Sequence, residues 1–421
     1  MRSSRLIATG LLLAASLPGR PASAEPCPTP QPRQRLVIVP LLTTPQQKPS
    51  APYRRFAKLL EAALTRSRRF KVLPPPATLA QLGREGRRLR PRYWSKLPSG
   101  TRLIKIVPQR GGARLLLFDP RKRSPIWRWK GRVVAQRVDR WRHLAQRLVD
   151  RLMVRFYGHR GYFSTRIAFV RGSGKRSRVL VMDFDGGRLR PLSPQGHESV
   201  LPRWSPRHEL TYTSYLWRNP DLYIVRKGRS YRLSRQPGLN TGATFSPNGD
   251  ELALTLSRDQ NAEIYVLDRR GTIRRRLTQS PGIDTSPSWS ADGQQIAFVS
   301  GRSGSPQVWL MPASGGTATQ LTTQGSYNQE PTWSPIKSSP WIAFTHQRAD
   351  GGYDIWLINA KTRATRRLTT RGSNKSPSWS PDGKLVLYNS SLGGLWIVRA
   401  DGSCPRRVYG GHARTPAWSG F

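Results

Sequence analysis

The chain has only 2 cysteines and 6 histidines among 421 residues, and its 23 acidic residues stand against 71 basic ones. Each shortage excludes some chemistry. Cys27 and Cys404 make no paired-cysteine spacing, and His143, His159, His197, His208, His346 and His412 are scattered, so no metal-ligand pattern exists. His208-Glu209 would open a zinc-protease motif only with His at position 212, where Tyr212 stands. No Gly-x-Ser-x-Gly nucleophile elbow occurs, and there is no hydrolase-sized region to hold one. Gly172-Ser173-Gly174-Lys175 fails as a phosphate loop because Phe169 takes the first-glycine position and Arg176 that of the magnesium-binding hydroxyl. It reads as a hairpin turn. The few carboxylates include Asp292 and Asp382, whose turn positions already explain them. The reading is a non-enzyme without metal or cofactor. After the first two dozen residues, no apolar run is long enough to cross a membrane.

What the chain has in abundance is one phrase. Ser376-Pro377-Ser378-Trp379-Ser380-Pro381-Asp382-Gly383 recurs around Trp204, Phe245, Trp289, Trp333 and, truncated, Trp418. Ser380-Pro381-Asp382-Gly383 has the residues of a type I turn: Ser first, Pro presetting φ, Gly fourth. Residues 378–380 are then expected as a short strand, with 384–389 returning. The aromatic positions lie 41, 44, 44, 46 and 39 residues apart, the period of propeller blades. Each unit adds an alternating run such as Ile355-Trp356-Leu357-Ile358, then a basic strand ending in Leu-Thr or Leu-Ser, as at Leu277-Thr278 and Leu368-Thr369. Four strands per unit follow. Residues 166–193 supply three strands without the Trp phrase, and the Trp418 phrase supplies the fourth. The expectation is a six-bladed β-propeller over residues 166–421, closed by both ends of the repeat region, which leaves no exposed sheet edge.

Ahead of the repeats, residues 1–24 read as a signal peptide, with Arg2 and Arg5, an apolar run from Leu6 to Leu17, and Ala22-Ser23-Ala24 for cleavage. Residues 25–34 form a Pro-rich tail. In an oxidising compartment Cys27 and Cys404 either pair or stay as two free thiols, and the sequence leaves both open. Over residues 35–157 strands alternate with helices: strands at 35–39, 70–73, 102–107, 113–118 and 126–134, and amphipathic helices at 53–68 and 140–157. The first helix carries Phe56, Leu59, Leu60, Ala63 and Leu64 on one face, the second Trp141, Leu144, Leu148, Leu152 and Phe156. The fold class is therefore a small N-terminal α/β domain, a linker over 158–165, and a propeller.

The formal charge is +48, and losing Arg2, Arg5 and Arg20 with the signal peptide leaves +45. Basic residues are spread through both parts with no nucleic-acid motif, so no specific nucleic-acid partner is expected; anionic lipids, polysaccharide phosphates or acidic proteins fit better. The working surface expected from topology is one end of the ring, where segments leading into the inner strands gather. They bring His197, Glu198, Asn240, Thr241, Asp284, Thr285, Ser286, Asn328, Gln329, Glu330, Asn374, Lys375 and Arg414 to one polar face.

The order of parts, the entry phrase Gly161-Tyr162-Phe163-Ser164-Thr165-Arg166-Ile167-Ala168-Phe169-Val170 and the closing Thr415-Pro416-Ala417-Trp418-Ser419 resemble the TolB family of the Tol-Pal envelope system. Val37-Ile38-Val39-Pro40 and Trp94-Ser95-Lys96-Leu97 resemble its N-terminal domain less specifically. The resemblance implies a periplasmic, non-catalytic adaptor. It would bind the lipoprotein Pal through the face just described, with Asp284, Thr285 and Ser286 in the contacting loop and Asn240 and Thr241 beside it. It also implies a TolA-like partner held by an N-terminal segment, but the Pro-rich run here lacks the N–H donors of a normal added strand. The alternative from another class is a propeller that binds polyanionic glycans or lipids without Tol machinery.

Overall fold

The computed structural model describes residues 34–40, 51–67, 69–73, 97–109, 112–122, 124–131 and 138–421. The signal peptide, nearly all of the Pro-rich tail, Cys27 and Trp94-Ser95-Lys96 lie outside them. Among the described residues no helix is long and apolar enough to cross a membrane.

The N-terminal part is a five-stranded sheet. Strand β1 (Gln34–Pro40) pairs in parallel with β2 (Phe70–Val72) and β3 (Arg102–Gln109); β4 (Gly112–Phe118) and β5 (Trp127–Gly131) extend it antiparallel, in the order β2-β1-β3-β4-β5. Alternation sets its two faces. Leu36, Ile38, Ile104, Ile106, Leu115 and Leu117 point to helices α1 (Ala51–Arg66) and α2 (Val138–Tyr157), which lay the stripes Phe56, Leu60, Leu64 and Trp141, Leu148, Leu152 against them. Val37, Leu103, Val107, Leu116 and Phe118 form a second cluster on the other face.

Residues 166–421 form six four-stranded sheets. Blades 1 to 5 are consecutive, with inner strands Ser199–Trp204, Asn240–Phe245, Asp284–Trp289, Asn328–Trp333 and Asn374–Trp379. Blade 6 joins Arg414–Trp418 to Arg166–Arg171, Arg178–Asp183 and Arg190–Pro191, so the two ends of the repeat region share one sheet. Middle strands are apolar on both faces because each blade is sandwiched between two others. In blade 2, Leu252, Leu254 and Leu256 face blade 1 while Ala253 joins the cluster shared with blade 3. Where the ends meet, Trp418 donates its indole N–H to the Thr165 hydroxyl at 2.9 Å, and the Arg166 N–H reaches Ser419 Oγ at 2.9 Å.

The recurring Leu-Thr ending has a definite task. The hydroxyls of Thr278, Thr322 and Thr369 accept the backbone N–H of Ile264, Val308 and Ile355, and donate to Glu263, Gln307 and Asp354. The Ser-Pro-Asp-Gly turn is braced likewise. Ser380 Oγ donates to Asp382 Oδ1 at 2.7 Å and accepts the Leu385 N–H at 2.9 Å, while Gly383 takes φ +67°.

Helix α2 docks at the blade 6 end where Arg166 lies opposite Asp183. Arg142 Nε donates to Asp183 Oδ2 at 2.9 Å and Gln146 Nε2 to the same oxygen at 3.0 Å. Asp150 accepts the N–H groups of Phe163 and Ser164 at 2.8 and 2.9 Å. The helix therefore sits beside the C-terminal ends of the inner strands, leaving their N-terminal ends as the opposite face.

Candidate functional site

The six inner strands share an interruption. The ladder to the second strand shifts register in all six, after the second residue in blades 1 to 5 (Val200, Thr241, Thr285, Gln329 and Lys375) and after the first, Arg414, in blade 6. At that step Leu201, Gly242, Ser286, Glu330, Ser376 and Thr415 take φ between +44° and +64°. A ring of left-handed residues thus encircles the opening. Proline follows in five of them (Pro202, Pro287, Pro331, Pro377, Pro416), tolerated because an inner strand is a sheet edge whose N–H there has no ladder partner.

This bulge corrects the expected boundaries. Residues 374–377 belong to the inner strand Asn374–Trp379 rather than to a loop before a strand at 378–380. The same holds for Asn240 and Thr241, for Asp284, Thr285 and Ser286, for Asn328, Gln329 and Glu330, and for Arg414. Sequence alternation misses these strands because the extra residue flips the side chains halfway along. His197 and Glu198 do lie in the bend before blade 1.

The named residues divide by burial. Asn240, Asp284, Asn328 and Asn374 open their strands with at most 1% exposure. They are occupied. Asn240 accepts from Ser234 Oγ at 2.6 Å and the Gln236 N–H at 2.9 Å, and donates to the Gln236 and Gly238 carbonyls. Asp284 takes Arg302 Nη2 at 2.6 Å, and its carboxyl is pushed up by burial. Asn328 donates to Gln307 Oε1 at 2.7 Å and the Gln324 carbonyl at 2.8 Å, and Asn374 to the Arg371 carbonyl at 2.9 Å. These four secure the strand starts and have no side-chain surface for a partner.

Thr241, Thr285, Ser286, Gln329, Glu330, Lys375 and Arg414 are half-buried on the rim and wall. Several join neighbouring blades. Thr213 Oγ1 donates to Thr241 Oγ1 at 3.2 Å across blades 1 and 2. Glu330 of blade 4 accepts the Ser376 N–H at 2.7 Å and the Ser376 hydroxyl at 2.8 Å from blade 5. The Lys375 ammonium lies 3.7 Å above the Tyr353 ring, and Arg414 Nη2 donates to the Gly172 carbonyl at 2.9 Å. Cys404 carries a disulfide bond; Cys27, the other cysteine, lies outside the described residues. No group of three metal-ligating side chains occurs among the described residues.

The TolB beta propeller domain family matches residues 154–421. The chain belongs to the TolB β-propeller family. Over nearly its whole length it is similar to TolB of Acinetobacter baumannii, at 27% identity and a TM-score of 0.67, covering 92% of this chain and 97% of that one. It is also 33% identical over 135 residues to the Tol-Pal system protein TolB of Gluconobacter oxydans. That match spans 30% of this chain and 30% of the relative.

Rim residues of this TolB-family propeller that sequence reasoning missed are apolar. Trp217 is 64% exposed, Ile283 60% and Leu392 50%. All three sit at the same end as the polar ring, because second strands end where inner strands begin, Ser214 opposite Ser199 and Ser390 opposite Asn374. None of the three carried a usable signal; Ile283, directly before Asp284, stands where the flanking units have Leu239 and Tyr327.

Proposed function

We propose that this chain is a non-catalytic periplasmic adaptor of a Tol-Pal-like system, exported by residues 1–24, which binds a Pal-like lipoprotein at the inner-strand face. It would thereby support outer-membrane integrity and constriction during division. The observation that carries the reading is the rim itself. An opening ringed by half-buried polar groups held in place by inter-blade hydrogen bonds, with Trp217, Ile283 and Leu392 exposed around it, suits a protein partner that needs apolar anchors and fixed polar contacts. Thr285, in the second position of its strand and half-buried, is the residue to perturb.

The test titrates the mature chain with the soluble domain of the same cell's Pal-like lipoprotein at low and physiological salt, for the wild type and Thr285→Arg. The adaptor reading expects one-to-one binding that persists in salt and weakens at least about tenfold in the variant, the cost of an unpaired charge in an interface. Binding that is absent, or collapses with salt in both proteins alike, would instead favour recognition of polyanionic glycans or lipids through the dispersed basic residues.

A further inference from the structure

Away from that face, helix α2 and the propeller enclose a cavity of about 350 Å³ that holds an unbalanced positive charge. His143 and Arg147 reach it from α2, Arg160 from the linker, Arg166 from blade 6 and His208 from blade 1. Its remaining lining is Ser164, Trp204, Ser419 and Phe421, so no carboxylate side chain faces it and the one anionic group among the lining residues is the Phe421 main-chain carboxylate, a single charge against three guanidiniums. The nearest acids are committed. Asp183 accepts from Arg142, Gln146 and Arg188, and Asp150 from two backbone N–H groups. None of the five basic side chains makes a hydrogen bond or close ion pair with a described residue, although Asp150 acts on the charge of Arg160, and Asp183 on those of Arg166 and His143, from further off; Arg160 lies over the Phe421 ring, 3.7 Å away.

Blade 1 breaks the repeat at this spot. Where the phrase has Gly249, Gly293 and Gly383 in the left-handed turn position, blade 1 has His208 at φ +61°, a conformation costly for a residue with a Cβ. Where it has Thr244, Ser288, Thr332 or Ser378, blade 1 has Arg203, which lines the adjoining Trp-walled channel mouth. That mouth shares Trp204, His208, Ser419 and Phe421 with the cavity.

We propose that the cavity between α2 and the propeller binds a multiply charged phosphate-class anion, either a free phosphate or a phosphorylated headgroup. Three convergent guanidiniums carry more charge and more donors than one carboxylate can satisfy. A phosphate offers several oxygens and a double charge, and matches the forked geometry of arginine. The site stands independently of the adaptor reading, since it lies at the other end of the ring. It also supplies a reporter. Burial, followed by the charges of Arg166, Arg147 and Arg188, pushes His143 down to about 4 against the opposing pull of Asp183, so a bound dianion raises its titration point.

The test uses the intact mature chain at fixed ionic strength. Calorimetric titration with inorganic phosphate is run on the wild type, Arg147→Gln/Arg160→Gln, and the remote control Arg229→Gln, with histidine NMR following His143. Arg147, Arg160 and Arg229 are all exposed, so the variants should fold, and thermal unfolding checks that they do. Saturable one-to-one binding that shifts His143 upward, weakens about tenfold or more in the double variant and is unchanged in the control supports the site. Vesicles containing an anionic phospholipid distinguish the sources: vesicle binding lost in the same double variant assigns a headgroup, whereas phosphate binding alone assigns the free anion. Weak, unsaturable binding equal in all three proteins, with His143 unmoved, would overturn the proposal as a general effect of the basic surface.

Discussion

Asp183 illustrates how few acids this chain has and how much each one holds. It is 3% exposed and receives Arg188 at 3.1 Å, Arg142 at 2.9 Å and Gln146. Burial alone would raise its carboxyl, but the hydrogen bonds from Arg188 and Arg142 more than offset this, and it rests below the usual aspartate value. A carboxylate depressed by folding stabilises the fold above its unfolded value of about 3.9, and that stabilisation fades as pH falls through the lower folded value. Asp183→Asn is expected to cost about 1–3 kcal/mol at pH 7, because it removes the charge that Arg142 and Arg188 share, while Arg142 keeps its pairing with Asp185. Thermal unfolding from pH 7 down to about 3 checks both points. The gap between wild type and variant should hold constant above pH ~4 and narrow below it.

Among the elements, the Leu-Thr endings offer the sharpest test. Thr369→Val keeps the shape but strands the Ile355 N–H and one Asp354 acceptor inside the sheet. A loss of about 1–3 kcal/mol is expected, read by denaturant unfolding. The sequence exposed such features where a residue type has one dominant physical use. Trp-Ser-Pro-Asp-Gly announced the turn because Gly383 needs a positive φ and Ser380 a partner two residues on. Blade number and closure were legible for the same reason, since the Trp418 phrase had no strands of its own to pair with. The first halves of the inner strands were hidden. Glu330, Ser376 and Ser286 are not residue types that advertise a left-handed backbone, and the bulge they form breaks the period-two pattern by which a strand is read. The burial of Asn240, Asp284, Asn328 and Asn374 was likewise unreadable, because polar residues at a strand start look solvent-facing until Ser234, Arg302 and Gln307 arrive from elsewhere in the fold. The cavity beside α2 was invisible, its five basic residues being drawn from four separate segments.

At the scale of the whole molecule, blade 6 is the joint. Its inner strand, Arg414–Trp418, pairs with Arg166–Arg171, and Ala417 and Trp418 belong to the apolar clusters that blade 6 shares with blades 1 and 5. Deleting residues 414–421 should therefore bare an edge of the Arg166–Arg171 strand and remove the ring's latch. Size-exclusion chromatography should find aggregates, and cooperative unfolding should give way to a broad transition. Synthesis runs in the opposite sense to assembly here. The first blade to leave the ribosome must wait for the last strand to arrive, so every partial product, wherever it stops before residue 414, carries the same unsatisfied edge. The closing strand thus acts as a receipt for length: a ring that shuts has been read through to its final strand.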